Sequence, residues 1–157
     1  VLVGHSDGGS IALIHAGGAG RAIAGLILMA PHVFVEDLSI ASIAQAKVAF
    51  ETTDLGQKLG KYHRDPVKTF RGWNDIWLHP DFRAWNIEEV LPHVTCPVSV
   101  IQGEDDEYGT PAQVEAIRRQ AKGEVEVLML ADCRHSPHKD QPQATLEAMA
   151  GFIERIG

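Results

Sequence analysis

The chain has 157 residues, 45% of them hydrophobic and 22% charged, which is enough apolar material for a core and too much for a disordered segment. A formal net charge of -7, with 8 histidines counted neutral, argues against nucleic acid or an anionic membrane as partner and leaves a small-molecule substrate as the expected ligand. Two cysteines, Cys96 and Cys133, are too few for a disulfide scaffold and fit reduced thiols in a cytoplasmic protein, and no run of about 18 apolar residues suggests a membrane span.

Val1, Leu2 and Val3 have the apolar, β-branched character of a buried strand, and Gly8, Gly9 and Ser10 open a helical pattern carrying Ile11, Ala12, Ile14 and Ala16. Ser6 is left at the tip between them, in Gly4-His5-Ser6-Asp7-Gly8. So sharp a turn holds its central residue in strained backbone geometry, and Gly4 and Gly8 carry no side chain to collide as strand and helix approach. Gly-x-Ser-x-Gly between a strand and a helix marks Ser6 as a candidate nucleophile; a plain turn serine or a phosphate-cradling loop would carry the same letters. The chain begins at Val1, within this apolar strand and without Met or a polar lead-in. We therefore expect a portion of a longer protein, with an unpaired edge along residues 1–5, unstable or inactive without its missing N-terminal part.

A glycine-rich break follows at residues 16–20, and residues 25–31 read as a second buried strand ended by Pro31. Strand, helix and strand make one parallel crossover unit. From residue 35 to 93 the character changes, with helical patterns over 38–50 and 67–77 and all three tryptophans, Trp73, Trp77 and Trp85, inside. This segment is expected to be an inserted helical cap, flanked by core segments 1–34 and 94–157. Alternation resumes with an apolar strand ending at Gly103, then the acidic loop Glu104-Asp105-Asp106-Glu107. Thr110 is a good N-cap, Pro111 suits the first helical position and Gln113 completes a Thr-x-x-Gln capping box, with Val114, Ile117 and Ala121 on one face and Gly123 closing the helix. Residues 125–130 make the next strand, leading into the histidines His135 and His138. The last helix starts near Pro142, with Leu146, Met149, Ala150 and Ile153 as its apolar stripe. Four buried strands separated by helices predict an α/β fold with an open parallel sheet, whose ligands bind at the strands' C-terminal ends.

Ser6, the acidic loop and the two late histidines all fall at those ends. A serine hydroxyl is a poor nucleophile at neutral pH, so it needs an imidazole to take its proton and a carboxylate to orient that imidazole. The chain supplies both, in the order Ser, Asp, His. That order resembles the α/β-hydrolase superfamily over nearly the whole chain. Three stretches carry the likeness: residues 4–9, the strand followed by Gly103-Glu104-Asp105-Asp106, and Arg134-His135-Ser136-Pro137-His138-Lys139-Asp140-Gln141-Pro142.

The resemblance implies a parallel-sheet α/β-hydrolase fold, here starting at the nucleophile-elbow strand, with Ser6 as nucleophile, Asp106 as acid and His135 as base. Asp105 and His138 compete for the last two roles; Asp106 fits the family's Gly-x-x-Asp spacing, and His135 is nearer the strand end. It also implies that the backbone N–H of Asp7 helps form an oxyanion hole, whose second donor comes from a loop after an earlier strand that this chain does not contain. The implied activity is a serine hydrolase cleaving a small-molecule ester, lactone or related carbonyl compound through an acyl-enzyme. Carbon–carbon hydrolysis of the meta-cleavage type and acyl transfer use the same triad, and a non-catalytic binder of this fold is the reading of another class. His5, Trp73, Trp77 and Trp85 are candidate substrate contacts, although aromatic residues such as these, Phe70 and Phe82 more often build a core. His15, His32, His63, His79 and His93 lack ligand spacing, and without a Cys/His cluster neither metal nor other cofactor is expected.

Overall fold

The most continuous apolar runs of the chain take the middle of a four-stranded sheet, where neighbours on both edges and helices over the faces remove them from water. The computed structural model describes residues 1–18 and 22–157. Its elements in chain order are β1 (Leu2–His5), α1 (Asp7–Gly18), β2 (Leu26–Met29), α2 (Asp37–Thr52), α3 (Leu55–Gly60), α4 (Pro66–Trp77), β3 (Val98–Gly103), α5 (Pro111–Gln120), β4 (Val125–Leu130), α6 (Pro137–Asp140) and α7 (Pro142–Ile156). Short 3-10 turns occupy Pro80–Ala84 and Glu88–His93. The glycine-rich break expected at residues 16–20 lies partly outside the described residues.

The strands are all parallel and run in the order β1-β2-β3-β4, with Leu28 level with Gly4 on one side and Val100 on the other. Every residue of β2 and β3 is buried. The outer strands differ from the expectation of four buried strands: Val3 is 51% exposed and β4 buries only Leu130, because among the described residues each pairs along one edge. On one face, Ile27, Met29, Ile101 and Leu130 pack with Phe152 and Cys133, flanked by Ala148, Met149 and Ile156 of α7. Burying a side chain of this size contributes about 1.5–3 kcal/mol, so this cluster is what docks α7. The stripe predicted for α7 is thereby corrected. Leu146 and Ile153 are 64% and 45% exposed, since Phe152, the largest side chain of the helix, turns its own face inward and leaves theirs to solvent.

The α5 N-terminus carries the expected Thr110 cap. The Thr110 hydroxyl caps the helix by accepting from Ala112 N–H, and Pro111 opens it. The Gln113 side chain also reaches the segment that follows β2. It is fully buried, accepts from Val33 N–H at 2.8 Å and donates to Phe34 O at 3.1 Å, serving backbone groups that follow β2. Unpaired buried peptide groups are costly, and this amide satisfies them where water cannot reach. Gly123 likewise acts by close approach, because a Cβ there would lie 1.9 Å from Cys96 O.

By contacts the chain forms two compact units, Val1–Phe34 with Asn86–Gly157, and Val35–Trp85. Residues 86–93, expected in the inserted segment, belong to the first unit: Ile87 N–H donates to Val33 O, Leu91 is fully buried, and Val90 comes so near Gly17 that a Cβ there would lie 2.5 Å from Val90 O. The second unit is helical. Asp65 caps α4 by accepting from Lys68 N–H, Pro66 follows at the first helical position, and the buried Asn74 amide donates to Ile43 O at 2.9 Å to tie α4 to α2. Among the described residues no helix is long and apolar enough to cross a membrane.

Candidate active site

β1 ends at His5 and α1 begins at Asp7, which leaves one residue to turn the chain. Ser6 makes that turn at φ 55°, a region L-residues seldom adopt. Its N–H donates to Met29 O at 2.9 Å and its carbonyl accepts from Gly9 N–H at 2.8 Å, so the strained residue is held on both sides. A Cβ on Gly4 would lie 2.3 Å from Gly8 O, so only glycine fits beneath the turn. The steric role expected of Gly8 itself is not seen, since a Cβ there would meet nothing within 4 Å; Gly4 provides the room on its own.

Asp106 follows the end of β3. Its side chain is 1% exposed, and it accepts from Gln102 Nε2 at 2.7 Å, from Tyr108 N–H at 2.8 Å and from His135 Nδ1 at 2.9 and 3.0 Å. Burial pushes its pKa up, but the His135 and Tyr108 hydrogen bonds and the neighbouring histidines outweigh it, leaving the carboxyl below its ordinary value. Asp105 is exposed and uses its backbone N–H to hold Cys133 O at 3.0 Å.

His135 arrives from the loop after β4. That loop crosses the end of β3 directly over Gly103, where a Cβ would lie 2.2 Å from Cys133 O and 2.3 Å from Arg134 O. Asp140 accepts from Arg134 N–H, and Glu107 accepts from His135 N–H at 3.2 Å and pairs with the Arg134 guanidinium at 3.2 Å. So held, His135 presents Nδ1 to Asp106 and Nε2 to Ser6 Oγ at 2.9 Å. With Nδ1–H donating to the carboxylate, the Nε2 lone pair faces the serine hydroxyl, the tautomer a general base requires.

Of the residues singled out from sequence, the structure thus brings Ser6, Asp106, His135 and His5 together. His138 is exposed, and its ring stands edge-on to His5 at 5.0 Å rather than reaching Ser6. Asp7 opens α1, where first-turn N–H groups project from the positive end of the helix dipole. Trp73, Trp77 and Trp85 belong to the helical unit: Trp73 is edge-on to Phe70, and the buried Trp77 packs against Phe82 and Trp85. Cys96 and Cys133 are reduced and buried, and burial with nearby carboxylates raises the Cys133 thiol to about 11. Among the described residues no group of three or more His, Cys, Asp or Glu is gathered for a metal ion. A cavity of about 590 Å³ lies at the other end of the strands, lined by Val98, Glu124 and Phe152, away from Ser6.

Sequence reasoning missed Gln102, Glu107 and Tyr108. Gln102 carried a signal, a polar residue inside an otherwise apolar strand; it is 1% exposed and braces Asp106. Tyr108 lies with its ring 4.7 Å from that of His135, and burial, then the Glu107 charge, raise its phenol above the ordinary value. Nothing in the local pattern distinguishes it.

Residues 1–148 match the alpha/beta hydrolase family. No curated protein is significantly similar in sequence. Among solved structures the chain is similar to VinJ (TM-score 0.70, 21% identity, 99% of this chain and 65% of that one). It also resembles esterase RhEst1 from Rhodococcus sp. ECU1013 (0.65, 18% identity, 99% and 65%). A third likeness is to a serine hydrolase involved in carbazole degradation, the CarC enzyme (0.72, 17% identity, 97% and 62%). The chain therefore spans less than two thirds of the length of these structures. With its parallel sheet, its strained serine turn and a family match over nearly its whole length, the chain belongs to the alpha/beta hydrolase family.

Proposed function

We propose that the protein is a serine hydrolase that cleaves a small-molecule ester, lactone or related carbonyl compound through an acyl-enzyme. The observation that carries this reading is the unbroken hydrogen-bonded line from Ser6 Oγ through the His135 ring to Asp106, at 2.9 Å and 2.9 Å. Three loops must converge to build it, which a turn serine and two solvated loop residues would not require. Ser6 Oγ attacks the carbonyl carbon as its proton passes to His135 Nε2, and Asp106 stabilises the resulting imidazolium without taking a proton itself. The Asp7 N–H is the proposed donor to the oxyanion. Collapse of the tetrahedral intermediate expels the leaving group, which takes the proton from Nε2. Water, activated by the same imidazole, then releases the acid and restores Ser6. The helical unit, Val35–Trp85, is the proposed cap.

Fluorophosphonate labelling followed by peptide mapping tests the reading. We expect one adduct, on Ser6, and loss of both the adduct and p-nitrophenyl ester turnover in S6A. An unlabelled Ser6, or an S6A protein that still turns over ester at the wild-type rate, would overturn it.

A further inference from the structure

His5 stands immediately before the proposed nucleophile, yet its ring is committed elsewhere. His5 Nε2 lies 2.6 Å from the carbonyl oxygen of His135, a residue 130 positions away in the chain. A carbonyl oxygen can only accept, so Nε2 carries the hydrogen and donates. The same residue's N–H donates to Glu107 at 3.2 Å, so both polar groups of the His135 backbone are gripped by side chains from other strand ends, His5 from β1 and Glu107 from the loop after β3. The His5 ring also packs 5.1 Å from the His135 ring. Burial, ahead of the other influences on it, holds the His5 imidazole below its ordinary pKa, consistent with a neutral ring at pH 7.

We propose that His5 is a positioning residue: by donating to the His135 carbonyl it ties the base-bearing loop to the strand that carries Ser6, fixing how far the imidazole stands from the hydroxyl. The inference rests on the hydrolase reading above. The loop after β4 has no strand beyond it among the described residues, and its path over Gly103 leaves His135 on backbone alone unless side chains hold it. Ser6 and His5 are adjacent, so a bond from His5 transmits the position of the serine turn to the base through a single residue. A displacement of about 1 Å between reacting groups is enough to cost about 100-fold in rate, so such a tether acts on kcat.

The test compares H5F, which keeps a ring but no donor, with H5Q, whose amide nitrogen reaches about as far as Nε2, on p-nitrophenyl acetate. H5F is expected to lose about 10- to 100-fold in kcat with KM little changed, and H5Q to recover most of that loss. Should H5F fail to fold, H5N, with an amide too short for the carbonyl, replaces it in the comparison. Equal kcat in the donor-less and donor-bearing variants, or a loss confined to KM, would overturn the proposal. Wild type and S6A run beside them separate the two readings. Ser6-dependent turnover with an unimpaired H5F rejects the role of His5 alone, whereas wild-type turnover that survives in S6A rejects both.

Discussion

Asp105 and Asp106 are adjacent in sequence and opposite in circumstance. Asp106 is buried and accepts from three donors, whereas Asp105 is exposed and contributes only its backbone to the His135 loop. Neutralising the first removes the group that selects the His135 tautomer, so D106N should lower kcat by about 10,000-fold while D105N stays close to wild type, measured on the same ester. The Asp106 carboxyl also links stability to pH. Its folded pKa lies below its unfolded value of about 3.9, so its contribution is present above that value and is lost as pH falls through the folded pKa. Urea unfolding of wild type and D106N should therefore show a stability gap at pH 7 that closes on acidification below about pH 4. A gap that stays constant with pH would contradict the charge-linked role of Asp106.

α7 shows how one large side chain orients an element. Leu146 and Ile153 keep the helical period, but so do Ala144, Ala148, Met149, Phe152 and Ile156, and only the second set packs with the cluster of Ile27, Ile101 and Leu130. F152A should cost about 3–5 kcal/mol in urea unfolding, through lost burial and a cavity at the face of the sheet. L146A, at an exposed position, should change stability by less than about 0.5 kcal/mol. If the two substitutions cost the same, the docking face of α7 has been assigned to the wrong side of the helix. The strand ends tell a related story. Ser6, Ala30 and Asp132 follow three different strands and all take positive φ, at 55°, 47° and 51°. Each turns the chain within a residue or two of its strand's end, and two of the three turns open segments that carry Ser6 and His135.

The whole sheet works as a gathering device. Because β1, β3 and β4 run parallel, their C-terminal ends lie along one edge, and residues as distant in sequence as Ser6, Asp106 and His135 meet there. The same packing seals Cys133 between the sheet and α7, fully buried with its thiol raised to about 11. Iodoacetamide at pH 8 should leave Cys133 unmodified in the native protein and alkylate it fully in urea, as read by peptide mass. Rapid native labelling would show that the core around Ile101 and Phe152 opens. The sequence showed the order of elements well, because continuous apolar runs and glycine or proline punctuation are local. It located the boundary of the helical insertion poorly at its C-terminal side. Residues 86–93 fell inside the segment expected as the insertion, whereas the burial of Leu91, the Ile87 bond to Val33 and the approach of Val90 to Gly17 go with the first unit.

Local chemistry was thus legible from the letters alone. Gly4-x-Ser6-x-Gly8 between an apolar run and a helical pattern marked a sharp turn, Asp106 and His135 follow apolar strands in the order Ser, Asp, His, and β2 and β3 read as interior strands. What waited for the tertiary structure were partnerships between distant segments: Phe152 rather than Leu146 against the sheet, Gln113 on the backbone after β2, Gln102 bracing Asp106, and His5 on the His135 carbonyl. The reason is physical. A strand or turn is selected by the side chains within a few residues of it, whereas burial and hydrogen-bond partnership depend on segments far away in the chain. A difference of one residue in register carries a side chain from the interior of this sheet edge to solvent.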